Sequence, residues 1–148
     1  MSEEHRFHAS VTWDAAAKSG GLASGTGLLA TPFGGAPSLG GRTDRTNPEE
    51  LLLGALAACF VQTWAIFLAK LRVPVEAPRV DGALELEADP AGGYRVARID
   101  LRARVPAALL SEREADVAKT LALAEKYCTV SKAVKGDGRE VHVTAVPA

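Results

Sequence analysis

The feature that most constrains the fold is an apolar run, Leu51–Ala69, in which nineteen residues carry no charge and Cys59 lies at the middle. Asn47 precedes the run and suits a helix N-cap, and Pro48 suits the first helical position because proline has no N–H to lose there. The sequence therefore predicts one long helix from Pro48 to about Leu71.

Two environments fit a helix of this kind. Nineteen uncharged residues meet the length requirement for crossing a bilayer. The run also contains glycine, alanine, glutamine and threonine, which lower its average hydrophobicity, and a helix that is apolar all round is equally suited to a protein interior. Because the amphipathic hairpins predicted elsewhere need an apolar element to pack on, we expect a central core helix and no membrane partner.

A second copy of the chain is the simplest cover for such a helix. A chain of 148 residues offers little surface to surround a helix on every side. Two copies packed antiparallel about a twofold axis would cover each other, and the small residues Gly54, Ala55 and Ala58 would allow close approach. We therefore expect a homodimer.

Composition narrows the function classes. A hydrophobic content of 47% supports a real core, so we expect a single α+β domain over residues 1–148. Seventeen basic and eighteen acidic residues, without a basic run, argue against a nucleic-acid partner. The N-terminus has no secretory pattern, so we expect a cytoplasmic protein in which any disulfide is transient. Three histidines and no Cys-x-x-Cys give little support for a zinc site.

The N-terminal segment predicts a hairpin followed by a loop. Alternating apolar residues predict a first strand with one buried face, and the small-residue stretch Gly20–Thr31 predicts the second strand. The alternating residues are Phe7, Ala9, Val11 and Trp13. Thr31–Arg45 is rich in proline and glycine and is predicted to be a long loop.

The C-terminal half predicts a second hairpin, a second helix and a last strand. The hairpin begins after Pro78, and its return strand, Tyr94–Val105, changes face near Val96, as a β-bulge would cause. Ser111–Glu114 reads as a capping box before a helix that reaches about Lys126. A short helical turn and a strand follow.

The two cysteines have different settings. Cys59 in an apolar helix is, by itself, best explained as a small hydrophobic residue. Cys128 lies in a break between two predicted helical segments, where unpaired backbone N–H groups can stabilise a thiolate and lower the thiol pKa. The residues alone leave open whether either thiol is functional.

Three segments together resemble a known family. Thr46–Leu52, Ala57–Phe60 and Ala124–Ser131 are similar to the paired cysteine signatures of the OsmC/Ohr family of organic hydroperoxide reductases. The order of predicted elements matches over nearly the whole chain, and the match is closer to the OsmC branch. Thr129 is a departure, since proline commonly follows the second cysteine in this family.

The resemblance implies a fold and an activity. The fold would be an intertwined α+β homodimer with antiparallel sheets wrapped around central long helices. Cys59 would attack an organic hydroperoxide, or hydrogen peroxide, and become a sulfenic acid, and Cys128 would resolve it to a Cys59–Cys128 disulfide. An external dithiol, such as a lipoyl protein, would reduce the disulfide, and no metal, haem or flavin cofactor would be required. The alternative within the family is a non-catalytic protein that binds a small molecule or senses redox state.

The resemblance also implies charged partners for Cys59. A buried thiol needs a positive charge to ionise, and the family uses an arginine held by a glutamate. The glutamate maps onto Glu49, and the arginine is assigned to Arg42, with Arg45 and Lys18 as alternatives. Ten residues separate Glu49 from Cys59, about 15 Å along a helix, so we expect Glu49 to serve the other subunit's Cys59 or to act through the arginine.

Overall fold

The N-terminal part of the chain forms a three-stranded antiparallel sheet. In the computed structural model, which describes residues 4–148, the strands are β1 (Ala9–Asp14), β2 (Ser19–Ser24) and β3 (Ala30–Gly34), in that spatial order. They belong to the first of two compact units, which ends at Leu51; the second comprises Leu52–Ala148. The expectation of a single domain over residues 1–148 stays a prediction.

This sheet corrects the predicted hairpin and loop. The predicted strand Gly20–Thr31 is divided between β2 and β3, with a turn between them. β3 extends into the predicted loop and includes Pro32, which pairs with Gly21. An edge strand tolerates proline because one of its sides faces no other strand. The missing N–H on that side costs no hydrogen bond to a neighbouring strand. The proline and glycine residues of this segment therefore led to the prediction of a loop where a strand forms.

The predicted buried face of the first strand is wrong for the isolated chain. All six residues of β1 are exposed, including Val11 at 59% and Trp13 at 55%. Phe7, just before the strand, is 89% exposed. The alternation is present in the sequence, but these side chains are exposed, although the Trp13 ring lies 5.7 Å from the Phe33 ring of β3.

The long helix α1 spans Pro48–Lys70, close to its predicted limits. Its N-terminus is capped as expected, since the Glu50 N–H donates to Asn47 Oδ1 over 2.9 Å. One stripe of the helix is buried, at residues spaced four apart: Leu56, Phe60, Trp64 and Leu68. The opposite side, which includes Gly54, Ala55 and Ala58, is exposed in this chain. The expected cover by a second copy stays a prediction.

α1 is also long and apolar enough to cross a membrane, with a mean hydropathy of 2.1 over its most apolar window. About a fifth of that window is buried within the chain. The core helix of a water-soluble protein meets the same criteria of length and composition, so they do not distinguish the two environments.

The second unit contains a sheet of mixed direction. β4 (Arg79–Ala88) and β5 (Tyr94–Val105) form the predicted antiparallel hairpin, and β6 (Glu140–Pro147) lies on the other side of β5. Glu85 pairs with Arg98 and Leu86 with Val96, so Ala97 is an extra residue and the predicted bulge is confirmed.

The expectation of antiparallel sheets is wrong for the last strand. β6 pairs with β5 in parallel, with Ile99 opposite Val141. The physical reason is the helical crossover between the two strands, which returns the chain to the starting end of β5.

Three helices make the crossover: α2 (Ala107–Glu112), α3 (Glu114–Tyr127) and α4 (Thr129–Val134). The predicted capping box is wrong, because Ser111 lies inside α2 and its hydroxyl donates to the Ala108 carbonyl over 3.1 Å. The helical break falls at Arg113 instead.

The inner face of β5, the buried stripe of α1 and the inner face of α3 form the core. Cys128 belongs to this cluster, and Cys59 packs at its margin. The buried residues from β5 and α3 are Ile99, Leu101, Ala103, Val105, Val117, Leu121 and Ala124. The core therefore fixes the helices that carry both thiols.

Candidate active site

The structure brings the two cysteine thiols of the second unit into contact. Cys59 lies in the middle of α1 and is half-buried, while Cys128 links α3 to α4 and is fully buried. The Cys128 thiol lies within hydrogen-bonding distance of the Cys59 sulfur. The two cysteines are not joined by a disulfide in this structure.

Backbone groups at the start of α4 surround Cys59. Burial opposes ionisation of the Cys59 thiol, but hydrogen bonds outweigh it and lower the thiol pKa below its ordinary value. The donors are the Val130 N–H, the Cys128 thiol, the Thr129 N–H and the Thr63 hydroxyl. Ionised sulfur accepts such bonds strongly, so the arrangement favours a nucleophilic thiolate at Cys59.

Cys128 shifts in the opposite direction. Burial raises the pKa of the Cys128 thiol, and the neighbouring Cys59 sulfur raises it further, although the Ser131 and Val130 N–H groups oppose the rise. The two shifts run in opposite directions, so of the two thiols Cys59 is the one whose ionisation is favoured. The expected lowering of the Cys128 pKa is therefore wrong in its net direction: the backbone N–H groups act to lower the pKa, but burial, which raises it, is the larger effect.

Arg42 is held within the first unit by other groups. Its guanidinium donates two hydrogen bonds to Asp44, of 2.7 and 2.6 Å, and a third to the Ala17 carbonyl at 3.1 Å. The bond to Asp44 raises the pKa of Arg42 and lowers the pKa of Asp44. The charge of Arg42 is thus already paired with a carboxylate, and its action on Cys59 stays a prediction.

Arg45 and Glu49 each keep an unsatisfied atom. Arg45 Nε and Glu49 Oε2 are buried and have no hydrogen-bond partner among the described residues. Arg45 Nε is 3.9 Å from Asp44 Oδ1, too far for a hydrogen bond. Buried charged atoms without partners are costly, so both atoms are suited to a partner from elsewhere. The role predicted for Glu49 stays a prediction.

Sequence reasoning missed three contributors to the environment of Cys59. The Thr129 and Val130 N–H groups act through the backbone, so no side-chain pattern identifies them. Thr63 carried a readable signal, because a residue four positions after Cys59 lies on the same face of a helix. Among residues 4–148, no group of three or more histidine, cysteine, aspartate or glutamate side chains is placed to hold a metal ion.

The fold and the thiol pair define a class of α+β proteins with one cysteine on a long core helix and another at a later helix junction. The model of the family described as OsmC-like protein matches residues 40–143. The chain belongs to this family.

Relatives and solved structures agree with this assignment. The organic hydroperoxide resistance protein-like 1 of Staphylococcus epidermidis is 33% identical over 92 residues, which are 62% of this chain and 64% of that protein. The match thus covers less than two thirds of that relative's length.

Two crystal structures share the fold over almost the whole chain. An organic hydroperoxide resistance protein from Elizabethkingia anophelis has a TM-score of 0.81 and 23% identity, with 100% of both chains covered. The organic hydroperoxide resistance protein OsmC from Legionella pneumophila has a TM-score of 0.78 and 25% identity, with 97% of this chain and 98% of that chain covered. The predicted α+β, OsmC-like fold is therefore confirmed.

Proposed function

We propose that this protein is a thiol peroxidase that reduces organic hydroperoxides to alcohols in defence against oxidative stress. The observation that carries the proposal is the contact between Cys59 and Cys128, with the thiol pKa lowered at the first and raised at the second. A nucleophile and a protonated partner in contact are what a two-cysteine peroxidase needs. The names of the family relatives, which refer to organic hydroperoxide resistance, support the substrate class.

Of the two cysteines, only Cys59 takes part in the first chemical step. Its thiolate attacks the outer oxygen of the hydroperoxide, a sulfur–oxygen bond forms, and the oxygen–oxygen bond breaks. The alkoxide takes up a proton and leaves as the alcohol. Sulfur has then lost two electrons, and Cys59 is a sulfenic acid.

The second step uses the protonated state of Cys128. Its sulfur attacks the Cys59 sulfenic acid, a disulfide forms, and the sulfur–oxygen bond breaks. The thiol proton of Cys128 leaves with the hydroxyl group as water. An external dithiol then returns two electrons and two protons by thiol exchange, and we propose a lipoyl protein as its source. The cycle requires no metal, haem or flavin.

The charged residues complete the proposal. Arg42 is proposed to stabilise the Cys59 thiolate, with Arg45 and Lys18 as alternatives, and Glu49 is proposed to orient the arginine. The buried, unpartnered Arg45 Nε and Glu49 Oε2 support a role for this pair, whereas Arg42 is already bound to Asp44. We further propose a cytoplasmic homodimer in which α1 of each subunit is covered by the other.

A thiol titration tests the reaction. One equivalent of cumene hydroperoxide should remove two free thiols per chain, and Cys59→Ser should abolish the loss. In Cys128→Ser, Cys59 should be oxidised to a sulfenic acid, detected by a sulfenic-acid probe, without forming an intramolecular disulfide.

The same experiment separates the proposed peroxidase from a non-catalytic protein. Two unchanged thiols in the wild type, after complete mixing with the hydroperoxide, would refute the peroxidase. Hydrogen peroxide at the same concentration serves as a comparison substrate and measures the preference for organic hydroperoxides.

A further inference from the structure

The Thr63 hydroxyl has one proton and two acceptors within reach. Thr63 lies one helical turn after Cys59 on α1 and is half-buried. Its Oγ1 is 2.8 Å from the Cys59 carbonyl oxygen, to which it donates. The same hydroxyl is also within hydrogen-bonding reach of the Cys59 sulfur. A single O–H group serves one of these two acceptors fully at a time.

The two acceptors differ in how much they gain from a hydrogen bond donated by the Thr63 hydroxyl. In an α-helix the carbonyl of residue i accepts the backbone N–H of residue i+4, so the Cys59 carbonyl already has Thr63 N–H as its regular partner. A thiolate sulfur has no such fixed partner and gains more from a donor because it is charged. Turning the hydroxyl from the carbonyl to the sulfur therefore leaves no buried group without a partner.

We propose that Thr63 is a positioning residue whose hydroxyl donates to the Cys59 sulfur when that sulfur is ionised and returns to the Cys59 carbonyl when it is not. The hydrogen bond holds the sulfur on the face of α1 that it shares with Thr63. A sulfur in a disulfide is a weak acceptor, so the hydroxyl returns to the carbonyl as Cys59 is oxidised. Thr63 thereby stabilises the Cys59 thiolate and makes no hydrogen bond to the Cys59 sulfur of the disulfide.

This inference deepens the proposed function, and its catalytic consequence rests on that function. The hydrogen bond itself does not, because it is a property of the reduced protein at rest. The test therefore measures ionisation of Cys59 directly and requires no hydroperoxide.

Thr63→Val and Thr63→Ser are the decisive variants. Valine keeps the branched shape and removes the hydroxyl, while serine keeps the hydroxyl and removes the methyl group. The measurement is the rate of iodoacetamide alkylation at Cys59 between pH 5 and 10, with the site of modification assigned by mass spectrometry. Only the thiolate reacts, so the rate follows the ionised fraction.

Thr63→Val should move the midpoint of the alkylation profile to higher pH and slow alkylation about tenfold at pH values below the midpoint, the effect of losing one hydrogen bond to a charged group. Thr63→Ser should keep the wild-type midpoint. Thr144→Val, an exposed substitution on β6, is the matched control and should also keep it.

Two results would overturn the proposal. One is an unchanged midpoint in Thr63→Val, and the other is an equal shift in Thr63→Val and Thr63→Ser, which would assign the effect to packing instead of the hydroxyl. Circular dichroism checks that each variant folds, and Thr63→Ala replaces Thr63→Val if valine prevents folding. Failure of wild-type thiols to react with hydroperoxide would refute the peroxidase proposal and leave this result unaffected.

Discussion

Two buried hydroxyl groups in the second unit differ in what surrounds their oxygen atoms. Thr120 Oγ1 accepts a hydrogen bond from Trp64 Nε1 over 3.0 Å and donates to the Val117 carbonyl over 2.7 Å. Ser131 Oγ is buried next to the site and has no hydrogen-bond partner among the described residues. The first hydroxyl therefore stabilises the core, whereas the second stays buried without compensation.

Removing these hydroxyl groups should have unequal effects on stability. Thr120→Val leaves the buried Trp64 N–H without an acceptor and should lower the free energy of unfolding by about 1–3 kcal/mol. Ser131→Ala removes an unpaired polar atom and should change it by less than about 0.5 kcal/mol or raise it. Urea unfolding of both variants measures the difference, and a larger loss in Ser131→Ala than in Thr120→Val would contradict the argument.

The sequence singled out both cysteines of the candidate site, but it predicted the direction of their pKa shifts less well. Cys59 and Cys128 were singled out by the motifs around them, and their meeting across 69 residues followed only from the family resemblance. The direction of the Cys128 pKa was mispredicted because a helix break suggests exposure, whereas the folded chain buries this thiol. Thr63 was overlooked because a threonine four residues along a helix ordinarily bonds the carbonyl alone.

At the level of elements, the C-terminal end of α1 depends on a residue from the helical crossover. The Arg113 guanidinium donates to the Arg72 carbonyl over 2.7 Å and reaches the Leu71 carbonyl at 3.5 Å. Both carbonyls lie in the turn just after Lys70, close to the helix C-terminus, where the helix dipole attracts positive charge. The break between α2 and α3 thus places a cation at the end of the helix that carries Cys59.

Arg113→Gln should therefore destabilise the second unit by about 1 kcal/mol, because it removes the charge and the forked donor group. Lys119→Gln removes one positive charge from an exposed position on α3 and is the control. Thermal unfolding followed by circular dichroism should show a lower Tm for Arg113→Gln and an almost unchanged Tm for Lys119→Gln. Equal Tm values in the two variants would show that the guanidinium does not support the end of α1.

Elements were predictable where periodicity was strict and local. β5 alternates regularly, and its ends and bulge were found because each follows from neighbouring residues. β3 was missed because an edge strand accepts the proline that would exclude it from a sheet centre. The parallel direction of β6 depends on the route of the whole crossover and has no local signal.

For the molecule as a whole, the apolar surface left uncovered is the main evidence for association. One side of α1 is exposed along its length, with Gly54, Ala55 and Ala58 at its start. In the first unit, the apolar side chains of β1 are exposed as well. Extended apolar surface on a folded chain commonly marks an interface.

Light scattering should give a mass of twice the 15.5 kDa of one chain. Ala58→Arg places a charge on the exposed side of α1 and should reduce the mass to that of one chain, because an unpaired charge is costly to bury. Ala115→Arg, on an exposed position of α3, should keep the wild-type mass. A wild-type protein with the mass of one chain would refute the homodimer.

The exposed strand β1 has a consequence for the life of the protein in the cell. Phe7, Val11 and Trp13 remain accessible after the first sheet has formed. Chaperones and proteases select chains by exposed apolar residues, so a solitary subunit resembles an unfolded one to this machinery. Under the homodimer proposal, chains that meet a second copy are protected and chains that do not are degraded. Doubling the rate of synthesis would then more than double the steady-state amount of the protein.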